Sequence, residues 1–268
     1  LACRVAARRM SPTFSFMDSS FNASYGSEVA YMGCRTRVIA NRHGAAVSAG
    51  RGNLSFTSVN LPRLALRAGG NEDRFFRLLG RCMDLAARQL LHRYNVQSRL
   101  KVRDMPFLMG QHVYIGSEGL SADDEIGPAI KHGTLSIGFI GLAEALTVLC
   151  GAGRSEDTEV GPGSGDGFGI AASDEADALG YGIVKFMRKR VDEYAEAHDL
   201  NFTLLATPAE GLSGRFVAID RERFGAISGV TDRAYYTNSF HVPVGARMSI
   251  CDKLAREGKY HGLTNAGH

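Results

Sequence analysis

The sequence predicts an α/β fold, because segments with the patterns of strands and helices alternate along its 268 residues. A strand is predicted over 54–61 and an amphipathic helix over 72–94. A second strand and a second helix follow within 134–150. Helices of this length between successive strands favour a sheet with some parallel pairing.

The first predicted strand, LSFTSVNL, alternates in polarity, contains β-branched residues and stops at Pro62. In the helix after it, apolar side chains recur every three or four residues from Phe75 to Leu90, behind an acidic first turn. The segment 134–150 begins as TLSIGFIG and continues as LAEALTVLC, which ends at Gly151. Each unit therefore predicts a strand followed by a helix.

The second half of the chain continues the alternation. A long helix is predicted over 174–198, with Ser173 as its N-cap, and a strand over 201–207 follows directly. Two further strands are predicted over 216–219 and 235–244.

A composition of 44% hydrophobic and 22% charged residues excludes disorder, collagen and a disulfide-stapled mini-protein. No stretch approaches the roughly 18 apolar residues of a membrane helix, and the Arg-rich start leads into polar SPTFSF. A soluble, intracellular chain is therefore predicted. Because the sequence begins with Leu1, we expect a fragment of a longer protein. The Gly-dense stretch 161–169 lacks both dinucleotide and P-loop spacing, so we interpret it as a surface loop.

Five cysteines without a CxxC pair, and without a histidine at zinc-finger spacing, predict free thiols and no metal site built from this chain alone. Four of them are expected to pack as small hydrophobic residues. Cys34 is the exception, since its sequence surroundings differ.

Positive charge is concentrated in residues 1–103, which hold 17 Lys/Arg against 5 Asp/Glu, whereas the rest holds 14 against 23. A half this basic attracts nucleic acid or a polyphosphate ligand, or pairs with the acidic half inside one domain. There is no block of five basic residues and no basic stripe with interleaved aromatics. The pattern therefore gives little support to a nucleic-acid surface.

The segment YMGCRTR, residues 31–37, is the first candidate for chemistry. Gly33 permits a tight turn that exposes the sulfur of Cys34, and the two neighbouring arginines favour a thiolate or a nearby anion. No histidine is adjacent, so a Cys-His nucleophile is not favoured, and an ordinary structural cysteine is the alternative.

The second candidate is TPAEGLSGR at 207–215, directly after a predicted apolar strand. A loop at the carboxyl end of a strand that is rich in Gly, Ser and Thr can direct backbone N–H groups and hydroxyls at phosphate oxygens. A plain turn is the alternative.

The third candidate is YYTNSFHVP at 235–243. Strand alternation would place one set of side chains on each face, namely Tyr236, Asn238 and Phe240 against Thr237, Ser239 and His241. One polar set must then meet water or hydrogen-bond partners. His241 by itself fits a structural histidine better than a catalytic one.

Six motifs occur in an order that resembles one enzyme family. They are MGCRTRV (32–38), GRGNLSFTSVNLPRLAL (50–66), KHGTLSIGFIGLAEAL (131–146), ATPAEGLSGRF (206–216), GVTDRAYYTNSFHVPV (229–244) and LTNAGH (263–268). Together they resemble the anaerobic ribonucleoside-triphosphate reductases, the oxygen-sensitive glycyl-radical class of ribonucleotide reductase. The resemblance covers essentially the whole chain, but only a central-to-late section of such an enzyme.

The resemblance implies a partial ten-stranded α/β barrel of the ribonucleotide reductase and glycyl-radical type, with residues 1–268 as a single partial catalytic domain. A finger loop enters the barrel in this family, and the cysteine at its tip matches Cys34. As a thiyl radical, Cys34 would remove the 3′ hydrogen of the ribose. The 2′ hydroxyl would then leave as water, and the product radical would recover a hydrogen from Cys34.

Aerobic relatives have a Glu two residues after the radical cysteine, where this chain has Thr36. The difference fits the anaerobic class, in which formate commonly supplies the reducing equivalents. Asn53 and Asn60 are then the candidates for amides that bind ribose hydroxyls or formate. Either could instead be a turn or strand-end amide.

The loop TPAEGLSG resembles the element with which reductases of this superfamily hold substrate phosphates. Its backbone amides and hydroxyls would come from Thr207, Ala209, Glu210, Gly211 and Ser213. The carboxylate of Glu210 would have to point away from the anion.

Other parts of such an enzyme have no match in the sequence: the RVCGY-like motif with the radical-storing glycine, the four-cysteine zinc site beside it, the upstream reducing cysteine, and the N-terminal ATP-cone that binds ATP or dATP effectors. We therefore expect this polypeptide alone to be inactive. The resemblance implies ribonucleoside triphosphate substrates, a radical-SAM iron–sulfur activating enzyme and a homodimer when full length. It also implies a cytoplasmic location, with no membrane and no direct nucleic-acid binding.

Two alternatives stay open. Another glycyl-radical enzyme, of the pyruvate formate-lyase type, also has a finger-loop cysteine but does not share the NLPRLAL and YYTNSFHVPV contexts. A non-catalytic nucleotide-binding or regulatory barrel homologue would keep the fold and lose the radical machinery. An RVCGY-like motif downstream would favour the enzyme over the binding module.

Overall fold

A computed structural model describes residues 1–9, 11, 14–23, 31–32, 36–38, 40–151, 173–246 and 248–266. Its strands are β1 (Tyr31–Met32), β2 (Thr36–Arg37), β3 (Asn53–Asn60), β4 (Thr134–Ile140) and β5 (Asn201–Ala206). Its helices are α1 (Ala2–Arg9), α2 (Ser20–Ala23), α3 (Leu61–Ala68), α4 (Glu72–Ser98), α5 (Gly127–Ile130), α6 (Leu142–Gly151), α7 (Asp174–His198), α8 (Gly211–Phe224) and α9 (Ile250–Gly258), with a 3₁₀ turn at Val102–Asp104.

Strands β3, β4 and β5 form a parallel sheet in that order. The register places Ser58, Gly138 and Leu205 side by side across the three strands. Strands β1 and β2 form a separate antiparallel pair. The predicted α/β class with parallel pairing is therefore confirmed.

The helix starts are set by side chains that the sequence offers at the right places. The Asn71 side chain accepts a hydrogen bond from the backbone N–H of Arg74 at the start of α4, and Ser173 accepts one from Ala176 at the start of α7. Helix α7 has the predicted bounds, whereas α4 continues four residues past the predicted end at 94. Strand β3 ends at Asn60, one residue before the predicted end, and Pro62 lies in the first turn of α3, a position that suits proline.

The sheet has one apolar and one polar face. Val59, Ile137 and Leu204 lie on the apolar face, in a buried cluster with side chains of α4 and α7. On the opposite face, the hydroxyls of Ser136 and Thr203 are 2.8 Å apart. A parallel sheet is usually apolar on both faces, so the polar face marks the side on which a site is built.

Two predicted strands are wrong. Residues 216–219 lie inside α8, where Val217 is buried and its neighbours are not, because a short apolar run is compatible with either helix or strand. Residues 235–244 form an irregular segment, in which Asn238 makes one isolated bridge to Ile140. The backbone N–H groups of Gly141 and Leu142, at the start of α6, and the Glu144 side chain hold that segment instead of a strand ladder.

The cysteine prediction holds for two residues and fails for two others. Cys82 and Cys150 pack against the main apolar cluster, whereas Cys3 and Cys251 are exposed. The Gly-dense stretch 161–169 lies outside the described residues. In the part of the chain that the structure describes, no helix is long and apolar enough to cross a membrane. That residues 1–268 form a single partial barrel domain stays a prediction.

Candidate functional site

A cavity of about 560 Å³ opens on the polar face of the sheet. It lies where β2, β3 and the segment after β5 meet. Its walls are formed by Thr36, Asn53, Phe56, Leu205, Thr207, Pro208, Ala209, Glu210, Gly211 and Leu212. The cavity therefore brings together one of the two candidate asparagines, most of the candidate phosphate loop and the residue two positions after Cys34.

Cys34 itself lies outside the described residues, as does Gly33. The strands on either side of it in sequence are β1 and β2, which pair so that Met32 faces Thr36. Ala266 links strand β2 to the sheet. Its carbonyl accepts from the N–H of Arg37 in β2 (2.8 Å), and its N–H donates to the carbonyl of Leu204 in β5 (3.1 Å). The pair of strands around Cys34 is thereby tied to the strand that leads into the cavity loop.

Asn53 begins β3 and lines the cavity. Its amide is satisfied when the nitrogen faces the carbonyl oxygens of Ser55 and Thr134, each 3.1 Å away, and the hydroxyl of Ser136, 3.3 Å away. The two N–H protons of the amide are shared among these three acceptors, which hold the side chain against the sheet. Asn53 thus presents a fixed polar group to the cavity.

Asn60 ends the same strand and does not line the cavity. Its oxygen accepts from the N–H of Arg63 (3.0 Å), which caps α3, and its nitrogen donates to Asp220 (2.7 Å). Asp220 is fully buried and also accepts from the Arg63 guanidinium (2.5 Å) and from the hydroxyl of Tyr236 (3.1 Å). The structure therefore uses Asn60 within the fold, whereas it places Asn53 at the cavity.

The loop after β5 starts with a hydroxyl that is tied to the sheet. Thr207 Oγ1 lies 2.8 Å from Ser58 Oγ, on the other side of β4. Gly138 lies between them, and a Cβ there would overlap Thr207 Oγ1. The absence of a side chain at Gly138 lets the two hydroxyls meet across the middle strand.

The rest of the loop turns directly into helix α8. Glu210 occupies the N-cap position with a φ of 42°, and the Ser213 hydroxyl donates back to its carbonyl (2.7 Å). The N–H of Leu212 donates to the carbonyl of Ala209 (2.9 Å). Gly211 opens the first turn of α8, where backbone N–H groups lack intrahelical partners and the helix dipole favours anions.

Two hydroxyls that the sequence predicts as phosphate ligands are used within the fold. The Ser213 side chain is buried and does not line the cavity, and the hydroxyl of Thr207 is engaged by Ser58. Of the described residues that form the walls, Glu210 has the one charged side chain. An anion at this loop would therefore be held mainly by backbone N–H groups and the dipole of α8, rather than by Lys or Arg.

Asn238 is a contact of this loop that the sequence interpretation did not assign. Its Oδ1 accepts from the N–H of Ala209 at 3.3 Å. The sequence feature that could have pointed to Asn238 is its amide between two large aromatic residues, Tyr236 and Phe240. Both aromatic residues are buried. His241, by contrast, lies 3.3 Å from Glu257 of α9, as expected of a structural histidine.

Among the described residues, no group of three or more His, Cys, Asp or Glu side chains is arranged to hold a metal ion. The residue set at the cavity is instead a hydroxyl, an amide and a helix N-terminus. Such groups bind polar organic ligands and phosphates through directed hydrogen bonds.

Comparison with known proteins identifies the family. The family model for anaerobic ribonucleoside-triphosphate reductase matches residues 1–268. The anaerobic ribonucleoside-triphosphate reductase of Escherichia coli K12 is 35% identical over 273 residues, which cover 100% of this chain and 36% of that protein. The enzyme of the same name from phage T4 is 31% identical over 278 residues, covering 100% and 41%.

Solved structures agree on the fold. The anaerobic ribonucleotide reductase from Thermotoga maritima with citrate in the active site superposes with a TM-score of 0.61 at 19% identity, covering 84% of this chain and 36% of that one. The same enzyme in complex with dATP and CTP gives a TM-score of 0.60 at 18% identity, over 82% and 34%. The fold described above is thus a part of the α/β barrel of these reductases.

The chain spans about a third of the length of the bacterial relatives that it matches. The whole-chain match favours a reductase over an enzyme of the pyruvate formate-lyase type. On the family match and on identities above 30% along its full length, the chain belongs to the anaerobic ribonucleoside-triphosphate reductase family.

Proposed function

We propose that this chain supplies the radical cysteine and the substrate cavity of an anaerobic ribonucleoside-triphosphate reductase, which makes 2′-deoxyribonucleoside triphosphates for DNA synthesis. The observation that carries the proposal is the cavity on the polar sheet face, where Thr36, Asn53 and the 207–212 loop meet. Membership of the family supports the chemistry.

In the proposed reaction, a thiyl radical on Cys34 removes the 3′ hydrogen of the ribose. The 2′ hydroxyl then leaves as water, and the overall reduction consumes two electrons and two protons, one of which comes from the solvent. Formate is the proposed reductant, and it is oxidised to carbon dioxide. The 3′ hydrogen finally returns from the Cys34 thiol, so that the cysteine radical is regenerated.

The geometry suggests how the substrate would lie. Its phosphates would meet the N-terminus of α8 at Gly211, because backbone N–H groups and the helix dipole favour anions there. The ribose would lie toward Asn53, whose amide is held by the sheet. Phe56, which is half exposed within the cavity, would form the apolar wall between these two ends.

The remaining components are proposed for the complete enzyme. A glycyl radical outside this chain would oxidise Cys34, and a radical-SAM iron–sulfur activating enzyme would generate it. A zinc site and the ATP or dNTP effector site would lie in other parts of the polypeptide. The enzyme would be a cytoplasmic homodimer without direct nucleic-acid binding, and the present chain alone would be inactive.

Substitution of the cysteine tests the proposal. In the complete, activated enzyme under strict anoxia, Cys34→Ser should abolish deoxynucleotide formation, because an alcohol O–H is too strong to exchange hydrogen with the ribose. Cys251→Ser is the matched control, since Cys251 is exposed on α9 and lies outside the cavity walls. Normal product formation by Cys34→Ser would rule out the assigned role.

A further inference from the structure

The irregular segment 236–239 lies between the cavity loop and the start of α6. The N–H of Gly141 donates to the carbonyl of Thr237 (2.8 Å), and the N–H of Leu142 donates to the carbonyl of Ser239 (3.2 Å). Two residues of the segment are therefore fixed on either side of Asn238. The side chain of Asn238 is free to extend in the other direction, toward the loop.

Glu144, in the first turn of α6, adds further hydrogen bonds to the segment 236–239. Its Oε1 accepts from both the backbone N–H (3.0 Å) and the hydroxyl (2.7 Å) of Thr237. The Glu144 side chain is 1% exposed, and burial raises its pKa, although Thr237 and Arg233 partly oppose the rise. Its second oxygen has no hydrogen-bond partner among the described residues. One oxygen of Glu144 therefore holds Thr237 at both its backbone and its hydroxyl.

On its other side, the segment contacts both ends of the loop. Asn238 Oδ1 accepts from the N–H of Ala209 (3.3 Å), and the N–H of Tyr236 donates to the carbonyl of Ser213 (3.4 Å). These contacts bracket Glu210 and Gly211, where the chain enters α8. Glu210 has a φ of 42° and Ser239 a φ of 41°, conformations that non-glycine residues adopt only when their surroundings enforce them.

From this arrangement we infer that Asn238 is a positioning residue for the cavity loop, and that Glu144 holds it in place through Thr237. The inference rests on the proposed binding of substrate phosphates at that loop. Asn238 accepts from the Ala209 N–H and thereby fixes the Pro208–Ala209 peptide, just before the turn into α8. The start of α8 is then held in one geometry before the anion arrives, and less ordering is needed when the substrate binds.

Asn238→Ala tests the inference in the complete, activated enzyme. Loss of one hydrogen bond to a binding loop should raise the KM for the ribonucleoside triphosphate about tenfold, while kcat at saturating substrate stays within about twofold. Asn71→Ala is the matched control, because it removes the same kind of bond, from an asparagine oxygen to a backbone N–H, at the start of α4. The control should lower the unfolding temperature without changing KM.

Variants of Glu144 provide a second test of the inference. Glu144→Gln keeps an accepting oxygen for Thr237 and should preserve KM, whereas Glu144→Ala should raise KM as Asn238→Ala does. In the double variant Asn238→Ala/Glu144→Ala, KM should be close to that of either single variant, since both act through one loop. Multiplied effects in the double variant, or equal KM values for the Gln and Ala variants, would overturn the Glu144 part.

Asn238→Asp keeps the test decisive if the alanine variant does not fold. It retains the oxygen and the side-chain size but adds a negative charge 3.3 Å from the loop backbone, so KM should rise and the rise should shrink with added salt. An unchanged KM in the folded Asn238 variants, with a wild-type enzyme that makes deoxynucleotides, would reject the inference alone. A wild-type enzyme that makes none would instead reject the proposed function.

Discussion

Ser58 Oγ and Thr207 Oγ1 lie 2.8 Å apart, so that a residue of β3 and the first residue after β5 are joined across the intervening strand. The bond passes over Gly138 of β4, where a side chain would block it. It fixes the start of the cavity loop to the polar sheet face. The position of that loop therefore depends on a glycine that lies outside it.

Gly138→Ala should disturb this arrangement. The new methyl group would overlap the Thr207 hydroxyl, and overpacking of this kind costs about 1–3 kcal/mol. We expect a lower unfolding temperature and a higher KM for the nucleotide, measured by thermal unfolding and steady-state kinetics of the complete enzyme. Gly182→Ala in α7 is the control: a Cβ there meets nothing within 4 Å, so it should be neutral or stabilising. Identical behaviour of the two variants would contradict the role of Gly138.

Alanine at Asn53 should impair catalysis, whereas alanine at Asn60 should impair stability. Asn53 lines the cavity, so Asn53→Ala should reduce kcat/KM by tenfold or more. Asn60 caps α3 and donates to buried Asp220, so Asn60→Ala should cost about 1–3 kcal/mol of stability with little change in kcat/KM. Kinetics and thermal unfolding of both variants check the assignment, which fails if Asn60→Ala is the catalytic defect.

The raised pKa of Glu144 predicts a pH dependence of stability. Burial raises this pKa above its ordinary value of 4.5, so the folded state keeps a proton that the unfolded state releases. The contribution is complete below pH 4.5 and is lost as the pH rises through the folded pKa. Glu144→Gln stays neutral, so its unfolding temperature should gain on that of the wild type as the pH rises above 4.5. A difference that does not change with pH would mean that Glu144 is ionised in the folded protein.

The sequence was sufficient wherever a structure is encoded locally. Ser173 marks the start of α7, and the apolar spacing that follows it predicts the helix. The apolar strand before Thr207 predicts where the cavity loop begins. The same local signals support the parallel sheet, because each strand is followed by a helix with one apolar face. The comparison with relatives then agrees with the family suggested by six motifs in order.

Long-range contacts account for what the sequence left open. Asn53 and Asn60 occupy the two ends of one strand, and only the position of Asp220, 160 residues after Asn60, shows that Asn60 is used inside the fold. The pattern of 235–244 predicted a strand with Tyr236, Asn238 and Phe240 on one face. The segment is instead held by Glu144, 93 residues before Thr237, an interaction that no local pattern encodes.

The most direct measurement of the central claim follows the ribose 3′ hydrogen. The complete, activated enzyme is given a ribonucleoside triphosphate with deuterium at the 3′ carbon, in competition with the unlabelled substrate, and the deoxynucleotide is examined by mass spectrometry. If Cys34 removes this hydrogen and returns it, the deuterated substrate should react more slowly and its product should retain deuterium at the 3′ carbon, whereas Cys34→Ala should give no product. Equal reaction of both substrates together with product formation by Cys34→Ala would contradict the account.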